Sequence, residues 1–318
     1  MVKNFLQGIL FFILIIGIGI GINIYMTKDN TSSTVTTNSD EEIKGCGLFI
    51  SNKNNNIHNQ VIDFTHIDDY SYNLINNTGK DLECNLNVFI NGNQIKLLNK
   101  ENGNTDYNIK FSIKDNEDKE IPIKLCLDNL PKGSYITNFN IVTDYNDYAV
   151  YNEQKVWLNS TYDYAVAIKN NDDVLSIQEG MHGNPGKDYI ENIPDSSQFI
   201  ANYSKDEFEE GSKPKNYIEA EASSIIEIPL IMGGRDTTES LIYATLDNNQ
   251  ILLNESKTLI YDFIENNASE TKVKIHVPYK TGKYELLFFS LSNFRNLDIN
   301  DFGGIRFSTS HRITLVSK

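Results

Sequence analysis

The sequence predicts a mainly β protein in which two tandem antiparallel β-sandwich domains follow one N-terminal transmembrane helix. Three observations carry this prediction. An uncharged apolar run lies near the N-terminus, strand-like alternation fills the chain beyond residue 45, and a short pattern recurs roughly 150 positions later. A chain of 318 residues is also long enough for about two domains.

The composition excludes several classes of protein. The formal net charge is −15, from 28 basic and 43 acidic residues, whereas a protein that binds DNA or RNA needs a basic face. We therefore expect no nucleic-acid partner. With 40% hydrophobic and 22% charged residues and 3 cysteines, the chain is neither a disordered tail nor a disulfide-stapled miniprotein. The excess of Asn (41) and Ile (40), whose codons are AT-rich, favours a bacterial source.

Segment 1–26 is predicted to be a transmembrane signal-anchor helix. Its run from Phe5 to Met26 carries no charge, and a helix of that length spans roughly 33 Å, enough for a bilayer core of about 30 Å. The alternative, a cleaved signal peptide, has a shorter apolar region that ends at a small-x-small site, which this run lacks. Lys3 favours an N-terminus inside the cell. We therefore expect a single-pass cell membrane protein, held in the lipid bilayer by residues 5–26, with an extracytoplasmic C-terminal part.

Four segments follow this anchor. Residues 27–44 are rich in Thr, Ser, Asn and Asp, cannot bury apolar surface, and are predicted to be a disordered stalk. The first β-sandwich domain is predicted at 45–178 and the second at 215–318. The connector 179–214 is rich in Gly, Pro and charge, but its embedded aromatic and Ile residues favour a segment that packs on one domain over a free linker.

Alternation of apolar and polar residues identifies strands with one buried face. In the first domain, one such face is predicted for Leu82, Cys84, Leu86, Val88 and Ile90, and another for Ile121, Ile123, Leu125 and Leu127. In the second domain, the buried residues are predicted to be Val273, Ile275 and Val277, and the exposed ones Lys272, Lys274 and His276.

An internal repeat links the two predicted domains. Segments 88–97 and 244–253 both read as strand, two-residue turn and strand. The turn is placed at Gly92-Asn93 in the first segment and at Asn248-Asn249 in the second, because these residues tolerate the positive φ of a tight hairpin. The recurrence of this hairpin predicts that both domains have the same architecture.

The second repeated element is a strand followed by Gly-x-Tyr, at 133–135 and again at 282–284. These glycines are 149 positions apart, and Gln94 and Gln250 in the hairpins are 156 apart. The element resembles the late strands of immunoglobulin-like (Ig-like) and fibronectin-like sandwiches, in which a Tyr entering the penultimate strand ties a corner by a hydrogen bond. The resemblance implies an Ig-like sandwich for each domain. The chain departs from true immunoglobulin domains in the late position of Trp157.

All three cysteines lie in the first predicted domain. Cys84 lies on the apolar face of its strand, whereas Cys126 faces away from Ile123 and Leu125, which disfavours a bridge between the two cysteines. Cys46 lies in a flexible Gly-rich segment and is the candidate partner of Cys126 in a disulfide. Three unpaired thiols are the alternative, with Cys84 acting as a small core hydrophobe.

The sequence contains no catalytic, cofactor or metal motif, so no cofactor and no metal are predicted. The five histidines form no HxH or HxxxH pair, and no acidic cluster follows the DxDxDG pattern of a calcium loop. Tyrosines late in the first domain are the candidate binding surface, since Tyr supplies rigid amphipathic contact area. They are Tyr145, Tyr148, Tyr151, Tyr162 and Tyr164. Sheet packing is the alternative role for these side chains.

These features together favour a membrane-anchored, extracytoplasmic binding or adhesion-type protein of a bacterial cell envelope, without catalytic activity. The expected partner is a cell-wall polymer or another envelope protein. Two alternatives stay open. One is a hydrolase that acts on the envelope through a site in the connector or the acidic loops, and the other is a structural subunit of a surface fibre or secretion apparatus.

Overall fold

A computed structural model describes most of the chain from residue 46 onward. The described residues are 46–52, 61–127, 130–143, 148–151, 154–157, 161–170, 181–183, 189–190, 198–234, 237–263, 267–295 and 306–318. None of the helices in these ranges has the length and hydrophobicity of a membrane span. The predicted anchor (1–26) and stalk (27–44) lie outside the described residues.

Among its described residues, the N-terminal half consists of strands and one 3₁₀ helix, Phe64–Asp69, at whose start the Asp63 side chain accepts a hydrogen bond from Thr65 N (2.9 Å). The strands are, in order, β1 (Cys46–Asn52), β2 (Val61–Asp63), β3 (Tyr70–Asn76), β4 (Leu82–Ile90), β5 (Asn93–Gln94), β6 (Leu97–Asn99), β7 (Thr105–Asp106), β8 (Asn108–Ile113), β9 (Glu117–Ile121), β10 (Ile123–Leu125), β11 (Gly133–Thr143), β12 (Tyr148–Tyr151), β13 (Gln154–Trp157) and β14 (Thr161–Asn170). We call this set the N-terminal copy.

The described part of the C-terminal half contains strands and one short helix, α1 (Lys205–Glu209), which begins with a capping box between Ser204 and Glu207. Its strands are β15 (Met181–Gly183), β16 (Tyr189–Ile190), β17 (Gln198–Ala201), β18 (Tyr217–Ala220), β19 (Ile225–Gly233), β20 (Glu239–Leu246), β21 (Asn249–Ile251), β22 (Leu259–Asp262), β23 (Ala268–His276), β24 (Gly282–Ser292), β25 (Arg306–Thr309) and β26 (Ile313–Ser317). We call this set the C-terminal copy. The chain is mainly β, as predicted.

The two copies share a common set of strand pairings. Strands β1-β3-β9 form the smaller sheet of the N-terminal copy, and β17-β19-β23, extended by β16, form its counterpart. The larger sheets run β2-β14-β11-β4-β5 and β18-β26-β24-β20-β21. In each series the first strand, β2 or β18, pairs in parallel with its neighbour, β14 or β26. The other neighbouring strands of both series pair antiparallel. This arrangement is a β-sandwich of the immunoglobulin-like or fibronectin-like kind.

Strand register supports the internal repeat. Val88 on β4 pairs with Phe139 on β11, and Ala244 on β20 pairs with Phe288 on β24. Val88 and Ala244 are 156 positions apart, as are Gln94 and Gln250 in the hairpins. Phe139 and Phe288 are 149 positions apart, as are Gly133 and Gly282. The two copies therefore pair these strands in the same register.

The hairpin turns lie one residue earlier than predicted. Asn91 and Gly92 have φ of 46° and 74°, and Asp247 and Asn248 have φ of 47° and 65°. The predicted turn residues Asn93 and Asn249 are instead the first residues of β5 and β21, since they pair with Ile90 and Leu246. Positive φ at both central positions matches the tight hairpin turn that Asn-Gly favours most.

The predicted buried faces are confirmed. All nine residues predicted to face the interior of the first domain are buried in one hydrophobic cluster of the N-terminal copy. In the C-terminal copy, Val273, Ile275 and Val277 are buried, and Lys272, Lys274 and His276 are exposed. Alternation therefore identified the inner face of each sheet correctly, because one side of every such strand meets the core.

The described part of segment 179–214 packs on the C-terminal copy. β15 pairs with β22, β16 with β23 and β17 with β19. Ile190 and Tyr203 form a small buried cluster with Ile231 and Ala268. Because β17 holds the place in its sheet that β1 holds in the other copy, the repeated unit begins before residue 215.

A tyrosine corner occurs in both copies, as the resemblance to Ig-like sandwiches implied. Tyr135 donates its hydroxyl proton to Pro131 O (2.8 Å), and Tyr284 donates to Lys280 O (2.6 Å). Each bond spans four residues and holds the loop that leads into β11 or β24. The same side chain therefore closes the same corner twice in the chain.

We predict that Tyr135→Phe lowers the free energy of unfolding by about 1 kcal/mol, because the phenolic hydrogen bond is lost while the ring stays packed. Tyr284→Phe should cost less, since its bond is exposed to solvent. Tyr279→Phe is the control, because that side chain is 86% exposed. Urea denaturation of the three variants measures the effect, and a loss for Tyr279→Phe equal to that for Tyr135→Phe would contradict the corner's role.

Candidate functional site

The structure describes the side chains of two tyrosines of the predicted binding surface. Tyr162 and Tyr164 lie on β14, are half-buried, and pack against the hydrophobic cluster of the N-terminal copy. Burial raises the pKa of Tyr164. These two side chains therefore contribute to sheet packing. Tyr145 and the side chains of Tyr148 and Tyr151 lie outside the described residues, so the binding surface stays a prediction.

None of the three cysteines forms a disulfide in this structure. Cys84 is buried within the hydrophobic cluster of the N-terminal copy, and Cys46 packs against the same cluster. Cys126 is half-buried, and its N–H donates to Lys96 O beyond the end of β10. The Cys46–Cys126 bridge stays a prediction, with no bond between the two sulfurs in this structure.

A polar cluster joins the connector strand β15 to the C-terminal copy. His182 Nδ1 lies 3.6 Å from Asp262 Oδ2, and Asp262 also forms an ion pair with Arg295. Glu239, which is buried, accepts a hydrogen bond from Arg295 N (2.8 Å). Because both carboxylates hold the loop around Arg295, the cluster serves to fix that loop. Among the described residues, no group of three or more His, Cys, Asp or Glu side chains is placed to hold a metal ion.

The contact between the copies is the feature that the sequence did not predict. Gln94 N donates to Gln250 Oε1 (2.8 Å), and Gln250 N donates to Gln94 Oε1 (2.7 Å). The side-chain amide of Gln94 donates to Asn248 O (2.8 Å), and that of Gln250 donates to Gly92 O (2.7 Å). Gly92 and Asn248 are themselves equivalent in the repeat. These four hydrogen bonds are therefore reciprocal, as in a two-fold symmetric interface.

An apolar cluster lies beside the reciprocal glutamines. The Phe89 and Tyr243 rings are 4.7 Å apart between centroids, and Tyr243 stacks on Phe289 at 5.0 Å with an interplanar angle of 13°. Val142 and Leu287 complete the cluster, and all five side chains are buried. Phe89 follows the core residue Val88 on β4, so it points away from its own core and into the other copy.

Gly92 lies where the two copies are in close contact. A Cβ atom at this residue would lie 2.9 Å from Thr258 Cγ2, 3.0 Å from Leu241 Cδ2 and 3.1 Å from Tyr243 Cδ1. Its φ of 74° also disfavours any residue with a side chain. Glycine is therefore required both by the turn and by the neighbouring copy.

A carboxylate lies within the same interface. Asp163 on β14 accepts hydrogen bonds from Thr309 Oγ1 of the C-terminal copy and from the side-chain amides of Asn140 (2.8 Å) and Asn138 (3.4 Å). The Asn138 amide also donates to Tyr243 OH at 3.0 Å. Burial raises the pKa of the Asp163 carboxyl, although the three hydrogen bonds lower it in part. Asp163 thus links the two copies through a desolvated acid.

Comparison with known proteins gives no family. No family model matches the chain, and no curated protein matches it. Among solved structures, the fibronectin(III)-like modules of Clostridium thermocellum CbhA are similar over 86% of this chain and 94% of theirs, at 8% identity and a TM-score of 0.21. The C-terminal domain of the Streptococcus pyogenes antigen I/II-family protein AspA is similar over 87% of this chain and 100% of its own, at 8% identity and a TM-score of 0.22. At such TM-scores the likeness adds nothing to the fold derived from strand order.

We predict that Gly92→Ala destabilises the protein more than Gly103→Ala does. Both glycines have a φ near 74°, but no atom lies within 4 Å of a Cβ built at Gly103. Gly103→Ala should therefore cost only the positive-φ strain, about 1 kcal/mol, and Gly92→Ala a further amount of about 1–3 kcal/mol from the clash.

Urea denaturation measures the two free energies of unfolding, and small-angle X-ray scattering shows whether the copies separate. We expect a larger radius of gyration only for Gly92→Ala. Equal losses of stability for the two variants would show that a Cβ atom at residue 92 does not clash with the C-terminal copy.

Asp163 should give the protein a pH-dependent stability that Asp163→Asn lacks. Because the folded-state pKa is raised, the folded protein binds the proton more tightly than the unfolded chain does. The stability contributed by this group is thus complete below the unfolded pKa and is lost as pH rises through the folded pKa. Urea denaturation of both proteins at a series of pH values from roughly 3 to 8, which begins near the usual Asp pKa, measures the free energy of unfolding of the wild type minus that of Asp163→Asn. We expect this stability difference to fall as the pH rises. If it grows with rising pH, the folded-state pKa of Asp163 is not raised.

Proposed function

We propose that the chain is a membrane-anchored, extracytoplasmic binding protein of a bacterial cell envelope, in which two tandem Ig-like domains act as one rigid, non-catalytic unit. The observation that carries the proposal is the reciprocal contact between the copies through Gln94 and Gln250. A binding protein gains from a fixed relative orientation, because less conformational freedom is lost when the partner is bound.

The location of this unit is inferred from the sequence. The apolar run of residues 5–26 is long enough for a bilayer, and the stalk 27–44 would hold the folded part roughly 20–25 Å from it. A net charge of −15 keeps such a domain pair soluble and away from anionic lipid. We therefore favour a cell-wall polymer or another envelope protein as partner.

The envelope-hydrolase alternative needs two carboxylates about 5–10 Å apart in a cleft. Glu239 and Asp262 lie opposite each other on β20 and β22. Both are engaged with Arg295, however, through its backbone N–H and its guanidinium. This engagement favours a structural role for the pair and leaves hydrolysis as the second choice.

Protease shaving of intact cells tests the location. The full chain carries an epitope tag after Lys318, and proteinase K is added to whole cells and to lysed cells. We expect the tag to be lost from intact cells while a cytoplasmic marker survives. A tag that is degraded only after lysis would rule out the extracytoplasmic placement.

Co-sedimentation tests the binding role. The full chain in detergent is mixed with purified cell-wall sacculi or with washed envelope membranes, and the retained fraction is measured. We expect retention by one of these fractions, reduced for Gly92→Ala and unchanged for Gly103→Ala. Retention by neither fraction would contradict the binding role, and equal retention of both variants would contradict the requirement for rigidity.

A further inference from the structure

Two cysteines enter the interior of the N-terminal copy from opposite sheets. Cys84 lies on β4 of the larger sheet and is 2% exposed, within the hydrophobic cluster. Cys46 is the first residue of β1, in the smaller sheet, and packs against the same cluster. Cys126 is not a member of this cluster. The interior of the sandwich therefore contains thiols from both of its sheets.

The strand register brings these two cysteines to the same end of the sandwich. Cys46 pairs with Asn76 on β3, and the side-chain amide of Asn76 donates to Ile113 O (3.4 Å) at the end of β8. Ile113 in turn pairs with Leu82 on β4. Leu82 lies two residues before Cys84 on the same inward face of β4. Cys46 and Cys84 therefore enter the core at the same end of the sandwich, one from each sheet.

The ionisation of Cys46 gives a further sign of this proximity. Burial raises the pKa of the Cys46 thiol well above its ordinary value, and the charge of Cys84 raises it further. This electrostatic effect agrees with the placement of both thiols in one part of the core. Cys46 is the first residue of β1, and β1 is an edge strand that pairs only with β3 among the described strands. A bond at this position therefore requires a shift of one strand end and not of a central strand.

We propose that Cys46 and Cys84 form a disulfide that joins the two sheets of the N-terminal copy once the chain is outside the cytoplasm. The bond replaces the Cys46–Cys126 pairing expected from the sequence and leaves Cys126 as the free thiol. The reference to an oxidising compartment rests on the proposed function. The bond would fasten the strand that directly follows the stalk to the opposite sheet.

The reaction needs a disulfide oxidant, either a thiol–disulfide oxidoreductase or a small-molecule disulfide. The thiolate of one cysteine attacks a sulfur of the oxidant, which breaks the oxidant's S–S bond, forms a mixed disulfide and releases one thiol. The second cysteine, after losing its proton, attacks the cysteine sulfur of the mixed disulfide and releases the second thiol. Two protein thiols are oxidised and one disulfide is reduced. Because burial suppresses the thiolate, the bond should form during folding, before the core closes.

Peptide mapping after refolding tests the bond without reference to any compartment. The full chain in detergent is unfolded, refolded with reduced and oxidised glutathione, alkylated with N-ethylmaleimide in denaturant near neutral pH and digested with trypsin. Cys46, Cys84 and Cys126 fall in separate tryptic peptides, 45–53, 81–96 and 125–132. We expect peptide 45–53 linked to 81–96 by loss of two hydrogens, with 125–132 alkylated.

Cysteine-to-serine variants show which pair of cysteines carries the bond. Cys126→Ser should retain the linked pair and should lose stability when dithiothreitol is added, whereas Cys46→Ser/Cys84→Ser should be insensitive to dithiothreitol. A Cys46–Cys126 link, or alkylation of all three cysteines after refolding, would overturn the proposal. Mapping the protein taken directly from cells then tests the location separately. Reduced thiols in cells together with a bond after refolding would contradict the proposed location and leave the pairing intact.

Discussion

The burial of the larger sheets on both faces is the constraint on which the rest of the structure depends. β11 is buried along its whole length, because one face meets its own core and the other meets the C-terminal copy. In an isolated sandwich, the outer face would lie in water and tolerate almost any polar residue. Here each outward side chain must instead fit the other copy. Gly92 at a turn and Asp163 on an edge of the contact are both consequences of this requirement.

Hydrogen bonds and apolar packing have different roles in this contact. The cluster around Phe89 and Tyr243 supplies the non-directional stabilisation that comes from removing apolar surface from water. The four bonds made by Gln94 and Gln250 are directional and satisfy backbone N–H groups that the interface would otherwise bury unpaired. Arg312 adds a bond to Thr143 O across the copies. Apolar packing therefore stabilises the association of the copies, and the polar pairs fix their relative orientation.

Each copy could be predicted from the sequence more fully than the contact between them. Inner faces, the repeat and both tyrosine corners follow from local patterns, since alternation and Gly-x-Tyr are decided within one strand or loop. The hairpin position was wrong by one residue because Asn, Gly and Asp tolerate positive φ at several neighbouring positions, and only strand pairing selects two of them. The interface gave no signal because its outward residues, such as Asn138 and Asn140, resemble solvated positions until their partners are known. β15, β16 and β17 are two to four residues long, too short for alternation to register.

The reciprocity of the glutamine pair also limits how such units can assemble. In a head-to-tail array, each module offers its neighbour a patch different from the one it receives, so growth continues until something stops it. Here the two equivalent patches contact each other, as the reciprocal hydrogen bonds between Gln94 and Gln250 show. The association is complete after one pairing and offers no free end for a further module. Polymerisation of this protein into filaments would thus need a surface other than the one that joins its halves.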